Sequence, residues 1–492
     1  MSLSKHLRLL AALCLLSFVP APAPAAIGLD VGDAAYRDLE RLEAEGLIES
    51  SLLNLRPISR REAARLVLEA ERNAARSGQG AGDLARALIA RLKAEFAGDL
   101  DDTDYLKPAG RAALSYIYSD SAGPELNYNN DGDPYAEGSN ARAAFTSMAE
   151  VGPLSLFANP ELRAGGGDTD LVARSAYAAL EMGGLELFFG RQSQWWGPGR
   201  HGSLLLSNNA APFTMVRVTN PTPALLPWVL SRLGPVRFVF FAGRLEEERS
   251  VPEPYLWGLR LDFKPVPWVE VGLERTALLG GEGRSEGLGT WWKSFTGKGE
   301  NEAGVEAGDQ RAGLDLKITV PLSVQPFQLY GEAAGEDESG GLPSKWAYLA
   351  GLYLPRILSL ERVGLRAEVA DNHIDGSPNA WYNHHIYRTG YTYKGRVVGH
   401  HMGTDSRDVF LEMTYEVPAL DGRLRLAYDR EKHNLSGTPA SSRAGKREYR
   451  ASLDVSLSED LWLDGTCAFA DLEGSGAEDE ASLLYLRVGY RF

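Results

Sequence analysis

The last ten residues of the chain, Leu483–Phe492, alternate between apolar side chains and a second, mostly polar set. Because successive residues of a β-strand point to opposite faces, this period of two predicts a strand with one apolar face. The apolar face holds Leu484, Leu486, Val488, Tyr490 and Phe492. An apolar face that continues to a terminal aromatic residue is typical of the closing strand of a bacterial outer-membrane β-barrel. In that class the strand is also an assembly signal, so we expect the barrel assembly machinery to recognise Phe492.

The N-terminus has the features of a secretory signal peptide. Lys5 and Arg8 precede an apolar run at residues 9–19. Small residues at 23 and 25 form a cleavage site, so residues 1–25 are predicted to be a signal peptide that is removed. The apolar run is too short for a membrane-spanning helix. Because only helices and closed barrels satisfy the backbone inside lipid, a barrel is the expected way for this chain to span a membrane.

Residues 26–105 are predicted to form a bundle of about three helices. Ser59 and Glu62 form a capping-box pattern at the start of one helix. Asp83 is placed to cap another, whose apolar residues recur every four positions: Leu84, Leu88, Leu92 and Phe96. Each predicted helix is apolar on one side only. We therefore expect the helices to pack against each other or against another surface.

From about residue 110 the apolar period changes from 3.6 residues to two. Residues 449–457 are an example, with apolar side chains at every odd position and polar ones between them. We count roughly eighteen such segments of about ten residues, the length of strand that crosses a bilayer when tilted. The sequence therefore predicts a mainly β protein, with residues 106–492 forming a transmembrane antiparallel β-barrel of about 18 strands.

The polar faces of the predicted strands favour a barrel over a soluble sandwich. A sandwich also has polar faces, but they face bulk water. Here strand after strand carries charges of both signs, which can pair with each other across a barrel lumen. Short turns such as residues 264–267 alternate with long connections near 119–140, 279–309 and 371–385. Short turns at one end and long loops at the other are typical of outer-membrane barrels.

The composition excludes some classes of partner and bond. The formal net charge of −15 disfavours nucleic acid as a ligand. Of the two cysteines, only Cys467 remains once the signal peptide is removed, so an intrachain disulfide is excluded.

The densest polar and aromatic motif lies at residues 190–210, directly after a predicted strand. Tryptophan rings stack on the C–H faces of sugars, and nearby polar groups bind hydroxyls and carboxylates. The candidate polysaccharide-binding residues are Arg191, Gln192, Trp195, Trp196, Arg200 and His201. The alternative is a loop folded into the barrel, in which the tryptophans contribute packing. The two interpretations are compatible.

A second aromatic and histidine-rich cluster occupies residues 381–405. Its candidate polysaccharide-binding residues are Trp381, Tyr382, His385 and Tyr387. Zinc requires three or four convergent ligands, and adjacent histidines such as His400 and His401 would point apart on a strand. We therefore expect no metal site. An aromatic girdle at the membrane interface, combined with loop packing, is the third interpretation.

At these two clusters the chain resembles the capsule assembly Wzi family of outer-membrane proteins. The resemblance rests mainly on residues 190–210 and 387–405, and the first of these motifs is fairly specific. Shorter similar stretches lie at 36–42, 56–60, 243–246, 258–261 and 329–337. Together they cover most of the chain that follows the signal peptide.

The resemblance implies a function at the cell surface. It indicates an outer-membrane, lectin-like barrel, monomeric and with its helices in the periplasm, that binds exported capsular or exopolysaccharide and helps attach it to the cell. A polysaccharide export complex and outer-membrane lipid are expected partners. The resemblance brings no catalytic residues and no cofactor. The residues leave two alternatives open, which are a porin or substrate channel and an outer-membrane enzyme that acts on glycan or lipid.

Overall fold

The computed structural model describes residues 27–76, 82–100, 103–296, 308–339, 342–437, 443–474 and 480–492. The predicted signal peptide, residues 1–25, lies outside these ranges. Within them, eighteen antiparallel strands close into one barrel, and three helices precede it. The predicted fold class and strand number are confirmed.

The barrel strands follow each other around the wall in chain order. The last strand pairs with the first, with Val488 opposite Leu114, and this pairing closes the barrel. A further two-residue strand, Ala224–Leu225, follows the sixth strand in the chain. Both of these strands pair with the seventh strand. The strands are β1 (Tyr105–Ser119), β2 (Gly138–Val151), β3 (Leu154–Gly165), β4 (Asp168–Met182), β5 (Leu185–Arg191), β6 (Thr214–Thr219), β7 (Pro235–Arg244), β8 (Tyr255–Val266), β9 (Val269–Leu279), β10 (Asp309–Val320), β11 (Phe327–Ser339), β12 (Leu342–Leu354), β13 (Val363–Asp371), β14 (Arg407–Val417), β15 (Gly422–His433), β16 (Ala444–Ser456), β17 (Leu461–Glu473) and β18 (Glu480–Arg491).

The two faces of the wall differ as the alternation predicts. Outward side chains are apolar and exposed, as at Leu314, Leu411 and Tyr449. On β18 the predicted apolar face points outward, and Leu486 is 43% exposed. A continuous apolar surface around the whole wall is far larger than a water-soluble monomer exposes, and it fits a lipid environment.

Inward side chains are charged and buried, and they form ion pairs across neighbouring strands. Arg260 of β8 is the clearest case, because three carboxylates surround its guanidinium. Its nitrogens lie 2.7 Å from Asp262, 2.6 Å from Glu274 and 2.7 Å from Asp315, and all four side chains are fully buried. The polar faces therefore line the lumen and satisfy each other there.

The barrel has two unlike ends, which we call the short-turn end and the long-loop end. At the short-turn end, two-residue turns such as 152–153 and 267–268 join neighbouring strands. At the long-loop end, the connections include residues 192–213, 280–308 and 372–406. The third connection ends at residue 406, whereas the sequence predicted that it would end near residue 385.

The three N-terminal helices are α1 (Ala35–Ala44), α2 (Arg60–Arg76) and α3 (Asp83–Glu95). Gly46 has a φ of +78° and ends α1, a conformation that glycine adopts without strain. The predicted cap of α2 forms, since the Glu62 amide donates to Ser59 Oγ at 3.1 Å. The predicted cap of α3 is wrong, because Gly82 takes the cap position and Asp83 is the first helical residue.

Helix α1 docks on charged side chains at the short-turn end of the lumen. Glu43 lies 2.7 Å from Lys264 of β8 and 2.9 Å from Lys317 of β10. Glu40 pairs with Arg366 of β13 at 2.8 Å, and Asp38 with Arg423 of β15 at 2.7 Å. Three acidic residues of α1 thus contact four strands, and these ion pairs hold the helix at this end of the barrel.

Acid should loosen the docking of α1. Burial alone would raise the pKa of its carboxyl groups, but the adjacent cations outweigh burial and lower the pKa of Asp38, Glu40 and Glu43. A lowered pKa in the folded state means that the stabilisation is complete above the ordinary values of 3.8 and 4.5 and is lost as the pH falls below them. We expect the backbone amides of residues 35–44 to exchange hydrogen faster at pH 3 than at pH 6, after correction for intrinsic rates. A Glu43→Gln variant should lose part of this pH dependence, and equal protection at both values would contradict the prediction.

A fourth helix, α4 (Leu288–Thr296), lies outside the lumen. It packs on the outer wall near the long-loop end, where Trp257 Nε1 donates to Ser294 Oγ at 2.9 Å and the Trp257 ring stacks on Phe295. Its other face leaves Trp292 67% exposed. Among the described residues, no helix has both the length and the apolarity needed to cross a bilayer.

Candidate functional site

Two long loops from the long-loop end fold back into the lumen. We call residues 192–213 the first plug loop and residues 372–406 the second plug loop. Their large aromatic side chains are in the main buried core, where Trp196 and Trp381 are both 0% exposed. The lumen is therefore filled by loop side chains over the region that these loops occupy.

The first plug loop reaches the N-terminal segment inside the barrel. Trp195 and Trp196 pair as a short antiparallel strand with Leu55 and Arg56. The Gly197 amide donates to the Asn54 carbonyl at 2.8 Å. This loop therefore joins the long-loop end of the molecule to the helical segment at the other end.

The second plug loop packs over the first. The hydroxyl of Tyr382 donates to the Leu204 carbonyl at 2.6 Å, and that of Tyr391 donates to the Leu205 carbonyl at 2.9 Å. Both rings are buried. Each tyrosine thus satisfies a backbone group of the other loop, and the two loops form one unit.

Carboxylates of the barrel wall hold this unit in place. Glu368 accepts hydrogen bonds from the amides of Arg200 and His201, at 2.8 and 2.9 Å. Glu332 accepts from the Leu204 amide at 2.8 Å, and Glu336 from the Tyr382 amide at 2.9 Å. Buried backbone N–H groups of the loops would otherwise lack partners, so these contacts fix the loop positions.

The predicted binding residues fall into three groups. The largest group is buried in the plug, and its members are Gln192, Trp195, Trp196, His201, Trp381, Tyr382 and Tyr387. Two arginines are half-buried, Arg191 at the long-loop end of β5 and Arg200 in the first plug loop. His385 is exposed on the second plug loop. The structure therefore brings most of the candidates together, but as packing between loops rather than as an open surface.

The buried candidates have specific internal partners. The Trp196 ring packs edge-on against Phe241 of β7, with 5.4 Å between ring centroids. Gln192 accepts a hydrogen bond from Arg217 at 3.0 Å, and the Arg200 guanidinium lies 3.4 Å from Glu40 of α1. These contacts hold the side chains inside the barrel, although Gln192 Nε2, His201 Nε2 and Trp381 Nε1 form no hydrogen bond there with the described residues.

A histidine and carboxylate cluster lies where both plug loops meet β14 and β15. His201 of the first loop and His401 of the second contact Asp408 and Asp429 of the wall. His400 stacks on His401 at a centroid distance of 4.6 Å. Burial lowers the pKa of both His400 and His401, so their imidazoles are neutral at physiological pH.

Sequence reasoning missed this cluster for two reasons. It assumed that His400 and His401 lie on a strand and diverge, but they lie in a turn region and their rings are stacked. It also had no means of placing His201 beside Asp408, which is 207 residues further along the chain. The alternation on β14 and β15 predicts that Asp408 and Asp429 face the lumen, and this was the available signal.

Comparison with known proteins places the chain in a family. A family model described as capsule assembly protein Wzi matches residues 118–481, which is most of the chain. The chain belongs to this family. The membership inferred from the two motifs is thereby confirmed. The match covers both plug loops and nearly all of the barrel.

Two relatives of this Wzi-family chain illustrate the match. The "Uncharacterized 55.8 kDa protein in cps region" of Klebsiella pneumoniae is 31% identical over 358 residues, covering 71% of this chain and 66% of that protein, just under two thirds of its length. The solved structure of Wzi from Escherichia coli, described as an outer-membrane protein involved in group 1 capsule assembly and a carbohydrate-binding β-barrel, has a TM-score of 0.76 at 22% identity. It covers 95% of this chain and 100% of that one, so the two share the outer-membrane barrel fold.

Proposed function

We propose that this protein binds exported capsular or exopolysaccharide at the cell surface and helps attach or assemble it there. The observation that carries the proposal is the filled lumen of a Wzi-family barrel, with α1 at one end and two interlocked loops at the other. A barrel filled in this way offers its loop surface, and not a passage, to a long polymer. The carbohydrate-binding description of the Escherichia coli relative supports the same conclusion.

The exposed part of the second plug loop is the surface we assign to the polysaccharide. His385, Asn383 and Arg388 lie there, and all three are exposed. Arg388 Nε donates to the His385 carbonyl at 3.3 Å, which holds the guanidinium beside the backbone of His385. An imidazole, an amide and a guanidinium suit the hydroxyls and carboxylates of an acidic glycan. The buried candidates, Trp195 and Trp196 among them, would then hold this surface in position.

This function sets the orientation and the partners of the molecule. The long-loop end would face the outside, and the helices would face the periplasm, within reach of a polysaccharide export complex. The apolar wall and the exposed face of α4, with Trp292, would contact outer-membrane lipid. We propose that the protein acts as a monomer and that the barrel assembly machinery recognises β18 through Phe492.

Two other functions fit the structure less well. A porin or substrate channel needs a continuous passage, and in the described residues the plug loops and α1 occupy the lumen. An enzyme needs reacting groups that a substrate can reach. Carboxylates do converge around Arg260, but they are fully buried. We therefore propose that the protein is not an enzyme.

Deletion of the gene in its own host should reduce cell-bound polysaccharide and leave the total amount unchanged, with the difference recovered in the medium. Separate assays of the cell and medium fractions measure this. Unchanged cell-bound polysaccharide would show that the proposed function is wrong.

The binding surface has its own test on the purified barrel. The double variant His385→Ala/Arg388→Ala should bind the host polysaccharide at least roughly tenfold more weakly, a change of about 1.4 kcal/mol. Lys107→Ala is the matched control, because it also removes an exposed cation but at the short-turn end. Equal losses in both variants would mean that the effect is only one of net charge.

A further inference from the structure

Four side-chain atoms converge in the cluster between the plug loops and the wall. His201 Nε2 lies 3.4 Å from Asp408 Oδ2 and 3.5 Å from Asp429 Oδ1. His401 Nε2 lies 3.6 Å from the same Asp408 Oδ2. His201, His401 and Asp408 each present a ligand atom within 4.8 Å of the others. Asp429 belongs to a second such group, with His401 and Glu431, so the two groups meet at His401.

These atoms are buried, and the four side chains are at most 6% exposed. His201 Nε2, both Asp408 oxygens and Asp429 Oδ1 form no hydrogen bond with any described residue. The other Asp429 oxygen lies 3.0 Å from Lys446 Nζ, and His401 Nε2 lies 3.3 Å from Glu431 Oε1. An unsatisfied buried polar atom costs about 1–3 kcal/mol, and more when it is charged. Several such atoms aimed at one point indicate a group that satisfies all of them together.

The charges around this cluster also favour a bound group, and they indicate that it is a cation. Four buried carboxylates lie here, and two cations, Lys446 and Arg450, pair with them. The carboxylates are Asp408, Asp429, Glu431 and Glu448. His433 Nε2 also lies 2.9 Å from Glu431, so Asp408 is the carboxylate of this group whose ion-pair contacts in the described part of the chain are imidazoles alone. A buried charge without compensation is strongly destabilising, and a bound cation would balance it.

The spacing fits metal ligands better than hydrogen bonds. A charge-assisted hydrogen bond between nitrogen and oxygen is about 2.7–2.9 Å long, which is shorter than the observed 3.4–3.6 Å. A tetrahedral zinc ion with bonds of about 2.0–2.1 Å separates its ligands by about 3.3 Å. The three measured separations are therefore close to those of zinc ligands.

We propose that His201, His401, Asp408 and Asp429 bind one divalent transition-metal ion, with zinc as the best match. Two imidazole ligands favour zinc and related metals over calcium and magnesium, which prefer oxygen. Four protein ligands leave no open position, so the site is structural rather than catalytic. The ion would fasten both plug loops to β14 and β15.

The surroundings fix the ligands in place. The His201 ring stacks on Phe410 at a centroid distance of 3.9 Å, and the His401 ring stacks on Tyr128 at 4.3 Å. His400 is not a ligand, because its Nδ1 accepts the Met402 amide and its Nε2 lies 3.8 Å from Asp408. Glu431 is not a ligand either, since Lys446 at 2.6 Å and His433 at 2.9 Å occupy its two oxygens.

Metal content and cobalt spectroscopy on the purified full-length barrel test the proposal. Wild-type protein from zinc-supplemented cells should contain one metal ion per chain after dialysis. After chelation and reloading with Co²⁺, it should show the visible absorption of tetrahedral cobalt. His201→Gln and Asp408→Asn should lose both signals, and added zinc should raise the unfolding temperature of the wild type only. His384→Gln is the matched control, because it removes a histidine from the second plug loop outside the cluster, and it should keep both signals.

Two outcomes would overturn the proposal. In the first outcome, the wild type contains no more metal than the His201→Gln variant and shows no cobalt spectrum. Asp408 and Asp429 would then share a proton instead of binding a metal ion. Equal metal content in the wild type and in both ligand variants would place the metal elsewhere. If a ligand variant fails to fold, the cobalt spectrum of the wild type still decides the question.

Discussion

Trp196→Ala should lower the free energy of unfolding by about 3–5 kcal/mol, because it empties a fully buried site in the plug. The indole lies against Phe241, and its Nε1 donates to Gln194 at 3.3 Å, so the substitution removes packing and a buried hydrogen bond together. The affinity of the folded protein for polysaccharide should stay nearly unchanged, since the ring is 0% exposed. Thermal unfolding in detergent and a polysaccharide-binding assay measure the two quantities separately.

Trp292→Ala is the matched control for this prediction. It removes the same side chain from the outer face of α4, where the residue is 67% exposed, and it should change the free energy of unfolding in detergent far less. The opposite pattern for Trp196→Ala, with normal stability and lost binding, would show that the tryptophan contacts the ligand directly.

Arg260→Met should destabilise the barrel by at least about 3–5 kcal/mol, the cost of breaking a buried ion pair from one side. The substitution removes the cation that neutralises Asp262, Glu274 and Asp315, and none of these carboxylates is exposed to water. Unlike Trp196, this residue belongs to the wall itself, so the whole barrel should unfold at a lower temperature. The temperature at which the folded form disappears on an unheated gel gives the measurement.

Arg244→Met provides the comparison within the neighbouring strand. Arg244 also pairs with two carboxylates, Glu253 and Glu286, but it is 46% exposed. A surface pair of this kind contributes within about 1 kcal/mol, so the stability should hardly change. If the two arginine variants unfold at the same temperature, burial is not what gives the lumen pairs their importance.

The wall of the barrel could be predicted because lipid and lumen impose opposite demands on alternate residues. The outward Leu486 and the inward Arg487 of β18 illustrate a rule that holds on strand after strand. The number of strands followed from counting such segments. The Ser59–Glu62 cap was predictable for a similar reason, since its hydrogen bond joins residues three apart.

The interior of the plug could not be predicted in the same way. No periodic rule says whether a tryptophan in a loop packs inside or stacks on a ligand, and Trp195 and Trp196 suited both interpretations. The partners that decide the question are remote in sequence, as with Leu55 and Trp196 or Arg260 and Asp315. Which strands bring such residues together is set by the closed barrel and not by local pattern.

The docking of α1 on the barrel also sets the order of events during folding. Asp38 and Arg423 are separated by 385 residues, and Lys264 and Glu43 by 221. The strands that supply these cations must be paired before they can surround the helix, although the helix precedes them in the chain. Such distant contacts form late and slowly. We therefore expect an unpaired α1 to mark a barrel that has not yet closed, with the docking of the helix as a late step.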